Sequence, residues 1–167
     1  MHPWRLALVA LIGFVFISPV ALASSKSTKK AKVYRKAARA SFLIGEDFRG
    51  LDLRGVVFFS ANLRKANFSR SKLGNASFEG SELVRSLFKK SKARGASFEG
   101  ANLTRADFRG ADLRGADMAR ANLRGARLQG AKLGKVVWES TICPDGSNSD
   151  AHHNTCVGHL LPAGPKS

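Results

Sequence analysis

ANLTRADFRGADLRGADMARANLRGARLQGAKLG, residues 101–134, sets a large residue every five positions and a small one two places before it. A helix repeats every 3.6 residues and a strand every two, so neither accommodates this spacing. Five residues advance a helix by about 500°, which would spread the large residues around the whole cylinder. In a straight strand an odd period sends each large residue to the opposite face from the last. The conflict disappears if the chain bends once per repeat. The small and large residues then share one face of a short extended segment. The bend falls two places after the large residue, where glycine's backbone freedom is of use.

The pattern extends in both directions without a slip of phase. Its centres are Leu43, Phe48, Leu53, Phe58, Leu63, Phe68, Leu73, Phe78, Leu83, Phe88, Ala93, Phe98, Leu103, Phe108, Leu113, Met118, Leu123, Leu128, Leu133 and Trp138. From Ala61 to Ala131 the site two before the centre is always Ala or Ser, and glycine holds half of the positions two after it. A chain that bends the same way each time closes into a coil, and successive coils stack about 4.8 Å apart through strand-like hydrogen bonds. From Phe48 to Leu113 the centres alternate Phe and Leu, broken at Ala93. Three repeats per turn would mix the two types in every column. Four put Phe over Phe and Leu over Leu, and aromatic pairs gain about 0.5–1.5 kcal/mol beyond burial. The alternation therefore predicts a four-sided coil of twenty residues, repeated about five times.

The repeats ANLRK, ANFSR, ASFEG, ANLTR, ADFRG, ADLRG, ADMAR, ANLRG and AKLGK resemble the pentapeptide-repeat family, whose pattern is A-(D/N)-L-x-x, over residues 41–140. That resemblance implies an all-β, right-handed quadrilateral β-helix, and the handedness rests on it alone. Glu46, Leu51 and Val56 depart from the small-residue rule, so the first coil is expected to be irregular. Ala93 in place of a large centre should leave a local gap or draw in a neighbour such as Leu87.

Four segments follow: 1–23, 24–40, 41–140 and 141–167. Residues 1–23 read as an export signal: Arg5 precedes the apolar run from Leu6 to Val20, and Ala21-Leu22-Ala23 suits cleavage before Ser24. The competing reading is an uncleaved anchor, for which the run is short. Residues 24–40 carry seven bases and no acid, suiting either an arm for anionic surfaces or a linker and end-cap. Both cysteines, Cys143 and Cys156, fall in the last segment, and an even pair in an exported chain reads as a disulfide that closes the end of the coil. Similar CPDG…C tails follow the repeats in some exported members of the family. Zinc held by Cys143, Cys156, His152, His153 and His159 has no familiar spacing. Asp145, Asn148 and Asp150 lack the order of a calcium loop. No metal or cofactor is expected.

The formal net charge is +16, from 28 Lys and Arg against 12 Asp and Glu, which favours anionic partners. Counting in twenties gives three basic sides. One carries Arg54, Lys72, Lys92, Arg94, Arg114, Lys132 and Lys135 against Asp52 and Asp112. The second carries Arg49, Arg70, Lys89, Lys90, Arg109 and Arg127 against Asp47 and Asp107. The third carries Arg64, Lys65, Arg85, Arg105 and Arg124 against Glu82, and the fourth is mildly acidic through Glu79, Glu99, Asp117 and Glu139. Binding is expected chiefly on the first two sides; the competing reading is a surface that merely solubilises. Some relatives are implied to target DNA gyrase by imitating DNA with an acidic rod. This chain has the opposite charge, which argues against that role. Only Phe59 is an outward aromatic in the regular repeats, so no stacking platform for nucleic acid exists. With every histidine beyond the signal in the tail and the interior filled by centres, no catalytic set is visible. The sequence thus reads as a non-enzymatic exported scaffold, periplasmic, cell-surface or secreted, for an anionic polymer or membrane surface. The alternative is a protein–protein module using the acidic side or the rod ends. No small-molecule substrate is expected.

Overall fold

The computed structural model describes residues 43–160. The export signal, the basic segment 24–40 and the last residues of the tail lie outside the described residues. From Asp47↔Asn67 to Asn122↔Ile142, every bridge between rungs is parallel and joins residues twenty apart. The four-repeat turn expected from the Phe–Leu alternation is therefore the observed register.

Two sets of backbone bonds carry that register. The N–H of each centre from Leu43 to Leu123 donates up the coil, as in Phe68 to the carbonyl of Leu87 (2.7 Å) and Leu73 to that of Lys92 (2.7 Å). The residue before the centre donates down, as in Leu87 to Ala66 (2.9 Å). Each segment is too short to be a conventional strand, and a turn follows it at once. The turn is closed by the next small residue, whose N–H donates to the preceding centre, as in Ala76 to Leu73 (2.9 Å). Every fifth residue from Gly45 to Ser140 has a positive φ, between 51° and 72°. A positive φ at the third residue of a four-residue turn is type II geometry, which explains the glycine preference.

The centres fill the interior. Phe48, Phe68, Phe88 and Phe108 stack with ring centroids 4.8, 5.0 and 4.6 Å apart, and Phe58, Phe78 and Phe98 stack at 5.1 and 5.0 Å. The two columns meet edge to face, at 5.6 Å between Phe88 and Phe98. Offset stacks joined by edge contacts are the arrangement that aromatic quadrupoles favour.

Two local expectations are corrected. The first described coil is not irregular: Asp47, Asp52 and Val57 bridge in register, and Gly45, Gly50 and Gly55 turn like the later corners. Val56 is taken fully into the core, while Glu46 and Leu51 stay half-buried. The register there is carried by backbone bridges and positive-φ corners, which these side chains do not disturb. Leu87 is not drawn towards Ala93. It occupies the bridging position before Phe88, where strand alternation turns its side chain away from the interior. Ala93 itself is fully buried.

At the C-terminal end, Cys143 and Cys156 form a disulfide. Residues 148–149 fold back antiparallel on 141–142, with Ile142 bridging Asn148 and Ser149 N–H donating to the Thr141 carbonyl (2.9 Å). The Ser149 hydroxyl donates to the carbonyl of Trp138, whose side chain is buried. The loop thereby pairs part of the last rung's edge, which a parallel ladder otherwise leaves open.

Candidate anion-binding surface

The side chain just before each centre decides the chemistry of its face. Where it is Asp, one carboxylate oxygen accepts from the backbone N–H two residues on, as in Arg109 to Asp107 Oδ1 (3.2 Å). Where that residue is Arg, the rest of the carboxylate then accepts from its guanidinium. Arg49 is bound this way to Asp47, Arg54 to Asp52, Arg109 to Asp107 and Arg114 to Asp112, with Nη2–Oδ2 distances of 2.7, 2.7, 2.8 and 2.7 Å. These are two-pronged, charge-assisted bonds. Cations one rung away join them: Lys72 lies 3.9 Å from Asp52, Lys89 3.4 Å from Asp107 and Arg94 3.2 Å from Asp112.

These bonds hold the carboxyls below their ordinary range. Asp47 and Asp52 are lowered mainly by the guanidiniums of Arg49 and Arg54. Asp112 falls to about 2, chiefly through Arg114, with burial opposing and Arg94 adding. At Asp107, burial is the largest influence and pushes upward, but the bonds and charges of Arg109 and Lys89 outweigh it.

Where the same position is Asn, Oδ1 makes the same backbone anchor. Ser69 N–H donates to Asn67 (3.0 Å), Thr104 N–H to Asn102 (3.2 Å) and Arg124 N–H to Asn122 (3.0 Å). The outward atom is then an NH₂ donor rather than a carboxylate acceptor. An Asp/Asn exchange thus turns a self-neutralising site into one that offers donors to an incoming anion.

This separates the residues singled out from the sequence into two groups. Arg49, Arg54, Lys72, Lys89, Arg94, Arg109 and Arg114 are tied to carboxylates. Arg70, Lys90, Lys92, Lys132 and Lys135 have no ion pair among the described residues. Nor do Arg64, Lys65, Arg85, Arg105 and Arg124 of the third side, which the sequence reading ranked behind the others. Every Asp and Glu of the chain lies between Glu46 and Asp150, so no acidic side chain from the undescribed segments is available to neutralise them. The signal that would have ranked the third side first is Asn62, Asn102 and Asn122 before its centres, in place of Asp, with Glu82 the one acid among them. Net charge by itself hides that distinction.

The polar groups of the C-terminal loop are used internally. Asp145 accepts from the Ser147 N–H and hydroxyl (2.9 and 2.6 Å) and pairs with His159 Nδ1 (2.8 Å). Its carboxyl is lowered to about 2, first by Ser147 and then by His159. Asn148 accepts from the Asp150 N–H, and Asp150 from the Ser140 N–H and hydroxyl. These are turn and cap bonds. Among the described residues no group of histidines, cysteines and acids is placed to hold a metal ion.

Residues 43–75, 71–110, 81–118 and 101–137 match the family of pentapeptide repeats, in eight copies. Similar solved structures include a pentapeptide-repeat protein of the Arabidopsis thaliana thylakoid lumen. It is 34% identical over 59% of this chain and 69% of that one, with a TM-score of 0.49. A second is Rfr23 of the cyanobacterium Cyanothece 51142, 28% identical over 62% of this chain and 81% of that one, with a TM-score of 0.52. The comparison with curated proteins finds no match.

Proposed function

The chain belongs to the pentapeptide-repeat family, and from that premise we propose that it is a non-enzymatic, exported rod that binds an anionic component of the cell envelope. The observation that carries this reading is the surplus of exposed Lys and Arg side chains left after every carboxylate has been placed. Such groups release counterions on meeting a polyanion, and that release drives association at moderate salt. The Cys143–Cys156 bond supports an oxidising compartment, in keeping with the export signal read from residues 1–23. Aromatic and aliphatic centres occupy the interior of the coil, which leaves the outer sides as the working surface.

Retention of the mature protein on heparin and on anionic liposomes at rising salt tests the reading. Retention at about 50 mM salt that is lost by a few hundred millimolar is expected. A protein that passes through both at the lower concentration is not a polyanion binder.

The second reading, a protein-binding module, has its own observation. Val57, Phe59 and Val137 are exposed on the acidic side, and Phe59 retains 49% of its accessible surface. Exposed apolar residues among Glu79, Glu99 and Glu139 suit a protein partner better than a polyanion. A pull-down that survives high salt and is lost in Phe59→Ser would favour it.

A further inference from the structure

The third side differs from the other basic sides in three independent ways. Its cations, Arg64, Lys65, Arg85, Arg105 and Arg124, are all exposed and have no ion pair among the described residues. Its bridging column carries Asn62, Asn102 and Asn122, whose anchored Oδ1 atoms turn NH₂ groups rather than carboxylates outward, that of Asn102 already engaged. The one carboxylate of that column, Glu82, accepts from Asn102 Nδ2 (3.1 Å).

The third difference is conformational. Every corner of the coil has a positive φ, and Arg70, Lys90 and Lys135 on the other basic sides share it, but here three cations, Lys65, Arg85 and Arg105, follow one another on successive rungs at a single corner, with φ of 60°, 59° and 59°. This is the left-handed region, where side-chain-bearing residues are strained and glycine is not. The next residue in that column is Gly125, at a φ of 71°. Gly125 lies on the next rung up, against the Arg105 side chain, whose Cγ would stand 3.1 Å from an added Cβ. Three long cations in a row therefore stand where glycine would cost less.

We propose that Lys65, Arg85 and Arg105, flanked by Arg64 and Arg124, form a track for an extended soluble polymer of phosphate or sulfate groups lying along the rod axis. The proposal rests on the reading of the rod as a polyanion binder and names the side that does the binding. Equivalent positions on successive rungs recur about 4.8 Å apart. A linear chain therefore meets cation after cation without leaving the column. From Asn62 to Arg124 no large hydrophobic residue of this side is exposed; Val84 is half-buried, and Ile44 is exposed one rung nearer the N-terminus. A lipid surface would gain from apolar residues among the cations. On this rod the exposed Val57 and Phe59, and Val137 four rungs further on, lie instead on the acidic side.

The test compares two variants that each remove three charges. K65G/R85G/R105G clears the track and places glycine where the backbone accepts it. K92Q/K132Q/K135G clears unpaired cations of the first side. Affinity for long-chain inorganic polyphosphate at about 150 mM salt is expected to fall at least tenfold in the track variant and less than threefold in the other. The charge-preserving K65R/R85K/R105K should bind as wild type does. Equal losses in the two charge-removing variants would overturn the track while leaving the polyanion reading intact. A wild-type protein that binds neither polyphosphate nor heparin would remove that broader reading. Binding to phosphatidylglycerol vesicles but not to soluble polyphosphate would also overturn the track.

Discussion

At the residue scale, the corner position carries two separable demands, a positive φ and room for whatever side chain is there. Gly115 (φ 67°) and Gly95 (φ 63°) share the first demand but not the second. A Cβ on Gly115 meets nothing within 4 Å, whereas one on Gly95 would lie 2.6 Å from Asn75 Oδ1. Gly115→Ala should therefore cost only the left-handed penalty, about 1 kcal/mol. Gly95→Ala should cost more, because Asn75 on the rung below must move as well. Urea denaturation of the two variants measures the difference. Equal losses would mean that Asn75 yields freely, and that backbone conformation alone decides which residues the corners accept.

At the scale of the single five-residue element, the unit Asp–centre–Arg is a closed electrostatic device. The carboxylate is anchored on the backbone and its remaining capacity is filled by the guanidinium two residues on. For Asp112 the folded carboxyl lies at about 2, below the ordinary 3.8. A depressed folded value means stability that is complete above the unfolded pKa and lost as pH falls through the folded one. The urea midpoint of wild type should exceed that of Asp112→Asn by a constant margin from neutral pH down to about pH 4. The margin should shrink between about pH 4 and pH 2 and vanish below. A margin that persists at lower pH would show that the Asp–Arg unit acts through packing rather than charge. This element also marks where the sequence was legible and where it was not. The small site, the centre and the glycine corner follow from sterics that act on each residue type alone, so the period of five and the twenty-residue turn could be read directly. Whether Arg109 is free or bound depends on a bond between two side chains across the intervening centre, and a tally of charges per side counts both without joining them. Glu46, Leu51 and Val56 misled for a related reason, since the regularity of the coil rests on backbone bridges and corners rather than on the size of those side chains.

At the scale of the whole molecule, a solenoid has no long-range closure to absorb a local strain, so each rung answers mainly to its neighbours. Like charges on successive rungs therefore act as nearest-neighbour terms, and their effect on stability can be separated from other terms by salt. Lys65, Arg85 and Arg105 oppose the fold in two ways. Their positive φ values are independent of ionic strength. The repulsion between adjacent rungs is about 0.9 kcal/mol per pair in water at 4.8 Å, and less where the long side chains splay apart. It is screened over about 10 Å at 0.1 M salt and about 3 Å at 1 M. K65G/R85G/R105G removes both. It should melt higher than wild type at low salt, by several degrees, and the gain should contract by 1 M salt to the part due to backbone relief. Melting curves of both proteins at about 0.01, 0.1 and 1 M sodium chloride measure this. A gain unaffected by salt would show that the three cations do not sense one another, and hence do not form a continuous positive track. A loss at every salt concentration would show that their aliphatic stems pack against the next rung strongly enough to outweigh the strain, making the column a structural feature first. Only a gain that salt diminishes matches a row of cations held against the preference of the fold, whose self-repulsion a bound polyanion would relieve.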